Sequence, residues 1–441
     1  MRKYRIVKVL LPLATAIFFL MANRLHAYEY IDINTPHLRK IPLAIPLFVS
    51  LGDTEADQEA LNKTSEILQQ TLDFTGYFDI LDRGAFLVDP LKPAITKGDI
   101  VFNNWVSVGA ELLITAGLSQ KGENISMELR LFDTFKSKRL IGKRYKGTLK
   151  DRHQMIRRFC SEVIYKLTGN RGIFNSQIAF VSTGTGNKEI YFCEFDGSNP
   201  VQFTANKQIS LNPAWSSDGK WLAYTSYVNG KSVIYIKNLK ENEKTVIDKK
   251  RLNLTPAWFP GKFLLAATLS FSGDQEIYLL TGKGKIIKRI TYKWGSDFSP
   301  TWSPDGKKLA FVSLRAGLPQ IYIKDMVSGQ VERLTFQGKD NTQPSWSPRG
   351  DKIAYTSIGE GHSNIFVIGL NGQGPIQLTK DSGDNEAPSW SPDGSLIAFS
   401  STREGPSRIY VMTAYGTDQR RILTLPGKQT NPKWSSNVIK N

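Results

Sequence analysis

Six short segments, each just ahead of a Pro-x-Trp triplet, concentrate the groups in this sequence that could recognise another molecule. They read Gln208-Ile-Ser-Leu-Asn212, Leu252-Asn-Leu-Thr255, Gly295-Ser-Asp-Phe-Ser299, Asp340-Asn-Thr-Gln343, Asp384-Asn-Glu-Ala387 and Gln429-Thr-Asn431. Amide, hydroxyl and carboxylate side chains of this kind can hydrogen-bond a peptide, and Trp294 and Phe298 add apolar anchors of the sort that dominate interface energetics. The candidate binding residues are therefore Gln208, Ser210, Asn212, Asn253, Trp294, Asp297, Phe298, Asp340, Asn341, Thr342, Asp384, Asn385, Glu386, Gln429 and Thr430. A second chemistry is open to the carboxylates Asp297, Asp340, Asp384 and Glu386, because paired carboxylates suffice for glycoside hydrolysis. The bland alternative for each segment is a turn, which uses the same residue types.

What must position these segments is a repeat. The tryptophans of the triplets stand at 215, 258, 302, 346, 390 and 434, a step of 43 and then of 44 residues, and a fixed period of that length means a repeat architecture. After Trp302 come the β-rich runs Lys308–Ser313, Gln320–Lys324 and Val331–Thr335, separated by Gly, Pro, Asp and Ser. With the Pro-x-Trp segment itself this makes four short strands per period, the content of one propeller blade. In Ser303-Pro-Asp-Gly306 the proline presets φ at the second turn position and the glycine takes the left-handed conformation that closes a hairpin, so Trp302, Asp305 and Gly306 read as structural. The run typified by Leu309-Ala-Phe-Val-Ser313 occurs six times, at Ile178, Leu222, Leu264, Leu309, Ile353 and Ile397. Its first copy has no Pro-x-Trp strand before it, and the last triplet, around Trp434, has no strands after it. The C-terminal strand is therefore expected to complete the blade begun at Ile178, leaving no open sheet edge. The six polar segments then sit at one end of equivalent strands and ring one opening of the channel.

The 441-residue chain carries 57 Lys and Arg against 40 Asp and Glu. Residues 1–27 read as a secretory signal peptide: Arg2, Lys3, Arg5 and Lys8 precede an apolar stretch from Val9 to Ala22, with cleavage expected after Ala27. Pro12 and the short run argue against a membrane span. Removal of this segment leaves a basic chain, but its lysines and arginines are dispersed, which together with export argues against nucleic acid as a partner. Cys160 and Cys193 fall in different expected elements, a helix and a propeller strand, and the three histidines outside the signal segment, His37, His153 and His362, show no metal-ligand spacing. Neither a phosphate loop nor Gly-x-Ser-x-Gly nor His-Glu-x-x-His occurs, and Thr183-Gly-Thr-Gly186 reads as a loop between strands. No cofactor is called for.

Residues 28–170 read as an α/β domain with a frayed N-terminal segment, and 171–441 as the propeller. Tyr28-Glu29-Tyr30-Ile31-Asp32-Ile33 alternates in a way that suits strand addition to a partner's sheet edge and equally an edge strand of its own domain. Ile41–Val49 reads as a buried strand whose prolines place it near an edge. Asp53-Thr54 is expected to cap a helix running to about Phe74. A strand over Gly76–Asp82, a short helix over Ile100–Val108, three strands over 111–148 and a helix from about Leu149 to Leu167, stopped by Gly169, complete the domain.

Ile41-Pro-Leu-Ala-Ile-Pro-Leu-Phe48, Phe74-Thr-Gly-Tyr-Phe-Asp-Ile-Leu-Asp82 and the six Trp-centred repeats together resemble the TolB family, periplasmic propeller proteins of the Tol-Pal system of Gram-negative bacteria. The resemblance covers essentially the whole chain after the signal. Departures are the degenerate repeat at Trp258-Phe-Pro-Gly261 and Arg349 in place of the turn aspartate. The resemblance implies a monomeric binding protein rather than an enzyme. It implies binding of the peptidoglycan-associated lipoprotein Pal through the propeller and of the inner-membrane protein TolA through the N-terminal segment, with further outer-membrane lipoproteins and toxins as users of the channel. Such a protein supports outer-membrane integrity and constriction at cell division. The competing readings from the residues are a secreted propeller enzyme and a binder of cell-wall polysaccharide, each with its site in the channel.

Overall fold

The computed structural model describes residues 39–51, 57–89, 94–241, 243–359 and 361–437. The signal peptide, the segment Tyr28–Ile33 and the expected cap at Asp53-Thr54 lie outside them. Among the described residues no helix is long and apolar enough to cross a membrane.

The N-terminal domain is one mixed sheet with helices on it. Its strands are β1 (Ile41–Ala44), β2 (Val49–Ser50), β3 (Phe78–Ile80), β4 (Leu112–Lys121), β5 (Asn124–Asp133) and β6 (Lys138–Thr148), in the order β3-β1-β4-β5-β6 with β2 also on β4. β1 runs parallel to both neighbours, whereas β4, β5 and β6 form an antiparallel meander. The proline-bearing strand lies one place inside the edge. It tolerates Pro42 because the ladder to β4 starts only at Leu43, while the Pro42 carbonyl still accepts from the Glu111 amide at 3.0 Å.

Helix α1 (Gln58–Asp73) is capped by Asp57, whose carboxylate accepts from the Glu59 amide at 3.2 Å. Its Leu61, Leu68 and Leu72 pack with Met155, Ile156, Phe159, Val163 and Ile164 of a second long helix on one side of the sheet. On the other side Trp105, from the short helix α2 (Phe102–Ser107), packs with Leu113, Phe132 and Phe86. The second long helix, α3 (Arg152–Thr168), ends at Gly169 with φ +74°, the left-handed stop that glycine supplies without a Cβ penalty.

The propeller has six four-stranded antiparallel sheets. Five blades are contiguous, starting at Ile209, Asn253, Asp297, Asp340 and Asn385. The sixth joins Gln429–Trp434 to Gln177–Ser182, with Gln429 opposite Ser182 and Trp434 opposite Ile178, as the unpaired first and last repeats require. Each second strand is buried along nearly its whole length; in Lys308–Ser313 every residue after Lys308 is fully buried, because neighbouring blades cover both faces of the sheet. Each Ser-x-x-Gly turn closes with the glycine at positive φ, +69° at Gly306 and +71° at Gly394; where the turn holds an aspartate the serine hydroxyl donates to it, as Ser303 to Asp305 at 2.6 Å, whereas Ser347, in the turn that carries Arg349, donates to Asp351 at 3.0 Å.

The tryptophans do more than fill space between blades. Nε1 of Trp258, Trp302 and Trp390 donates to the carbonyl of the middle residue in the preceding blade's Pro-x-Trp triplet, at 3.1, 3.2 and 3.1 Å. Trp215 does the same across the closing seam, to Lys433. Trp434 instead donates to Ser176 at 2.7 Å, and the buried Nε1 of Trp346 has no partner among the described residues.

The two domains share a continuous apolar core, in which Phe74 meets Phe195 edge-on at 5.3 Å between ring centroids. The Phe74-Thr-Gly-Tyr-Phe segment forms the seam. Arg420 donates to the Phe74 carbonyl and lies 4.4 Å from its ring centroid. Tyr77 is buried beside the Ser391–Ser395 turn, where burial and then the Asp393 carboxylate push its hydroxyl pKa up. Lys40 pairs with Asp418 at 2.9 Å. All these propeller partners lie on the face that carries the Ser-Pro-Asp-Gly turns.

Candidate partner-binding site at the propeller channel

The first strand of every blade lines the channel, and each has the same interruption. Asn212, Thr255, Ser299, Gln343, Ala387 and Asn431 are all left-handed, with φ between +45° and +55°, and each precedes a proline. The ladder to the second strand skips at this point in every blade, as between Phe298 and Thr301. Holding a residue other than glycine in this region costs on the order of 1–2 kcal/mol. The geometry is kept in all six blades because the bulge turns the backbone into the channel, where these residues and their prolines ring a cavity of about 150 Å³.

Two positions upstream, Ser210, Asn253, Asp297, Asn341, Asn385 and Gln429 occupy equivalent places, and all six are 0% exposed. This corrects their expected role as groups presented to a partner. At that register the side chain points into the seam toward the preceding blade. Asn253 Nδ2 donates to the Ser232 carbonyl at 2.9 Å, Asn341 Nδ2 to Gln320 Oε1 at 2.8 Å, and Gln429 Oε1 accepts from Arg408 at 2.9 Å. Asp297 takes its charge partner from its own blade, accepting from Arg315 at 2.8 Å. Burial raises the pKa of Asp297 in spite of Arg315, and that of its neighbour Glu276 in spite of hydrogen bonds from Thr291 and Arg289. These residues build the rim.

The residues between the buried ring and the bulge face outward: Leu211, Leu254, Phe298, Thr342, Glu386 and Thr430 are half-buried or, for Glu386, exposed. Of the other candidates, Gln208, Asn212, Asp340 and Asp384 are half-buried. Asp384 and Glu386 come together on Ser363, which donates to the first from its amide at 3.0 Å and to the second from its hydroxyl at 3.2 Å. Trp294 is 85% exposed on the loop entering the third blade.

Several rim residues were not among the sequence candidates. The antiparallel pairing places the loops before each first strand and those between second and third strands on one face, opposite the N-terminal domain. On that face Ile209, Leu252, Phe271, Tyr292, Leu318, Phe336 and Ile358 are also exposed large apolar residues. Most sit in loops that vary between repeats, and Ile209 and Ile358 lie at or next to strand ends, so no period marks the set. The left-handed ring was hidden too, since its residues range from Ala to Gln and only the proline after each is constant.

Residues 29–140 match the model of the TolB amino-terminal domain, and residues 164–361 and 344–439 that of the TolB beta propeller domain. The Tol-Pal system protein TolB of Desulfosudis oleivorans is 56% identical over 289 residues, 66% of this chain and 66% of that protein. A TolB homolog of Chlorobaculum tepidum is 43% identical over 264 residues, 60% of this chain and 59% of that protein. The matched stretches thus span two thirds or less of these relatives' length. The crystal structure of TolB from Acinetobacter baumannii superimposes with a TM-score of 0.77 at 25% identity, covering 90% of this chain and 97% of that one. With an amino-terminal domain and a six-bladed propeller each matched in place, the chain belongs to the TolB family.

Proposed function

We propose that this protein is a periplasmic component of the Tol-Pal system and acts by binding other proteins, not by catalysis. Its propeller would bind the outer-membrane lipoprotein Pal at the channel mouth away from the N-terminal domain, and the segment Tyr28–Ile33 would bind a TolA-like inner-membrane protein. A molecule with these two contacts links the inner membrane to the outer membrane and serves envelope integrity and constriction at division.

The observation that carries the reading is the composition of that mouth. An apolar arc through Ile209, Leu252, Phe271, Tyr292, Trp294 and Phe336 borders a rim of half-buried polar groups. Large exposed aromatics beside satisfied polar groups are the make-up of a protein-binding patch. Of the four carboxylates that could serve a hydrolase, Asp297 is buried on Arg315, and Asp384 and Glu386 both accept from Ser363, which favours the binding reading over an enzyme.

The test is a titration of the chain from residue 28 with the purified soluble domain of the same bacterium's Pal. Trp294→Ala with Phe298→Ala should weaken binding more than tenfold, the loss expected of truncated interface anchors. A chain starting at Lys40 should keep Pal and lose TolA. Binding of cell-wall polysaccharide with no affinity for Pal would defeat the proposal.

A further inference from the structure

The waist of the channel holds one charge. Its cavity is lined by the six left-handed residues, their prolines and Lys433, with no Asp or Glu among them. Lys433 fills the middle position of its Pro-x-Trp triplet, where the other blades carry Ala214, Ala257, Thr301, Ser345 and Ser389. Five of these six side chains are short, and the sixth puts an ammonium on a four-carbon stem into the ring. The Lys433 carbonyl is taken by Trp215, but its ammonium has no hydrogen bond or ion pair among the described residues. Burial alone acts on it, pushing its pKa below the ordinary lysine value with no carboxylate acting the other way. The residue is half-buried, so the ammonium keeps some contact with water in the cavity, yet no carboxylate of the lining balances its charge there.

The neutral groups around it suit the same ligand. Gln343 has its carbonyl oxygen committed to the Ala387 amide at 2.8 Å and the Thr356 hydroxyl at 2.7 Å, which leaves its amino end to donate. Asn212 and Asn431 bring two further amides to the lining. We propose that the channel waist is an anion site and that its ligand is a carboxylate, paired with Lys433 and hydrogen-bonded by these amides. One ammonium matches one negative charge, and a cavity of about 150 Å³ has room for a carboxylate of side-chain size. The site stands on the cavity and Lys433 and does not depend on which partner the mouth binds.

The test uses the whole chain from residue 28 with ¹³Cε-labelled lysine. The Lys433 signal is identified by its loss in Lys433→Met and followed as sodium acetate is added, against sodium chloride at equal ionic strength. A saturable displacement of that signal by acetate, with a midpoint on the order of 10 mM as a single charge-assisted contact allows, is the expected result. An acetate-dependent rise in melting temperature, absent in Lys433→Met, should accompany it. A drift with acetate that matches chloride at every concentration, or an undiminished melting response in Lys433→Met, would overturn the proposal. If Lys433→Met does not fold, Lys433→Gln provides the assignment. Two peptides separate the sources of the carboxylate: one with a single glutamate and blocked ends, the other with a free C-terminus and no acidic side chain. Displacement by the first assigns a partner's side chain, by the second a chain end, and by acetate alone a free small acid.

Discussion

The indole Nε1 of Trp215 donates to the carbonyl of Lys433 at 2.9 Å, tying the first contiguous blade to the last strand in the chain. Three other blade seams carry the same bond, and the seam at Trp346 lacks it. Trp390→Phe should therefore cost about 1 kcal/mol more than Trp346→Phe, the net worth of one buried hydrogen bond, although both rings are similarly buried. Urea unfolding of the two variants measures the difference.

Ring closure predicts a larger loss. Trp434 is buried, its indole donates to Ser176 and its amide to Ser389 at 2.9 Å, so Trp434→Ala should cost about 3–5 kcal/mol. Removing Pro432 onward should expose the amides of Gln177–Ser182 to hydrogen exchange well before those of Lys308–Ser313. Equal protection of the two strands would contradict the closure.

At the domain seam, Arg420→Ala removes both the hydrogen bond to the Phe74 carbonyl and the contact with its ring. The expected cost is about 2–3 kcal/mol, and calorimetry should show the N-terminal domain melting ahead of the propeller. A single transition lowered as a whole would mean that the shared core, rather than Arg420, couples the domains.

Glu276 and Asp297 have raised carboxyl pKa values through burial. The folded chain then holds these protons more tightly than the unfolded one, so their contribution to stability declines as pH rises from about 4, the unfolded carboxylate value, through the folded values. Relative to the parent, Glu276→Gln with Asp297→Asn should gain stability across that window. Denaturation midpoints at several pH values check the sign of the slope, and a flat difference would count against it.

The period of the tryptophans made the propeller, its blade number and its closing strand readable, because each repeat must satisfy the same turn and the same seam. The placement of polar residues around one mouth was readable for the same reason. Their direction was not. A strand that bulges at Ser299 sends Asp297 into the seam and leaves Phe298 outward, and only the positive φ at the bulge fixes which is which. Lys433 went unremarked in the sequence, although it is the one long side chain in a series of small middle residues, and nothing in the spacing tells that it lines a cavity. The Phe74–Phe78 run was legible as a family signature, and its work at the domain seam emerges only when Arg420, far along the chain, comes to lie on Phe74.

The pairing of Gln429–Trp434 with Gln177–Ser182 also bears on how the protein is made. During synthesis the earliest propeller strand emerges long before its partner and must wait with one edge unsatisfied until Gln429–Trp434 appears. A truncated product would therefore lack more than its missing residues: it would carry an adhesive edge, open to any extended segment nearby.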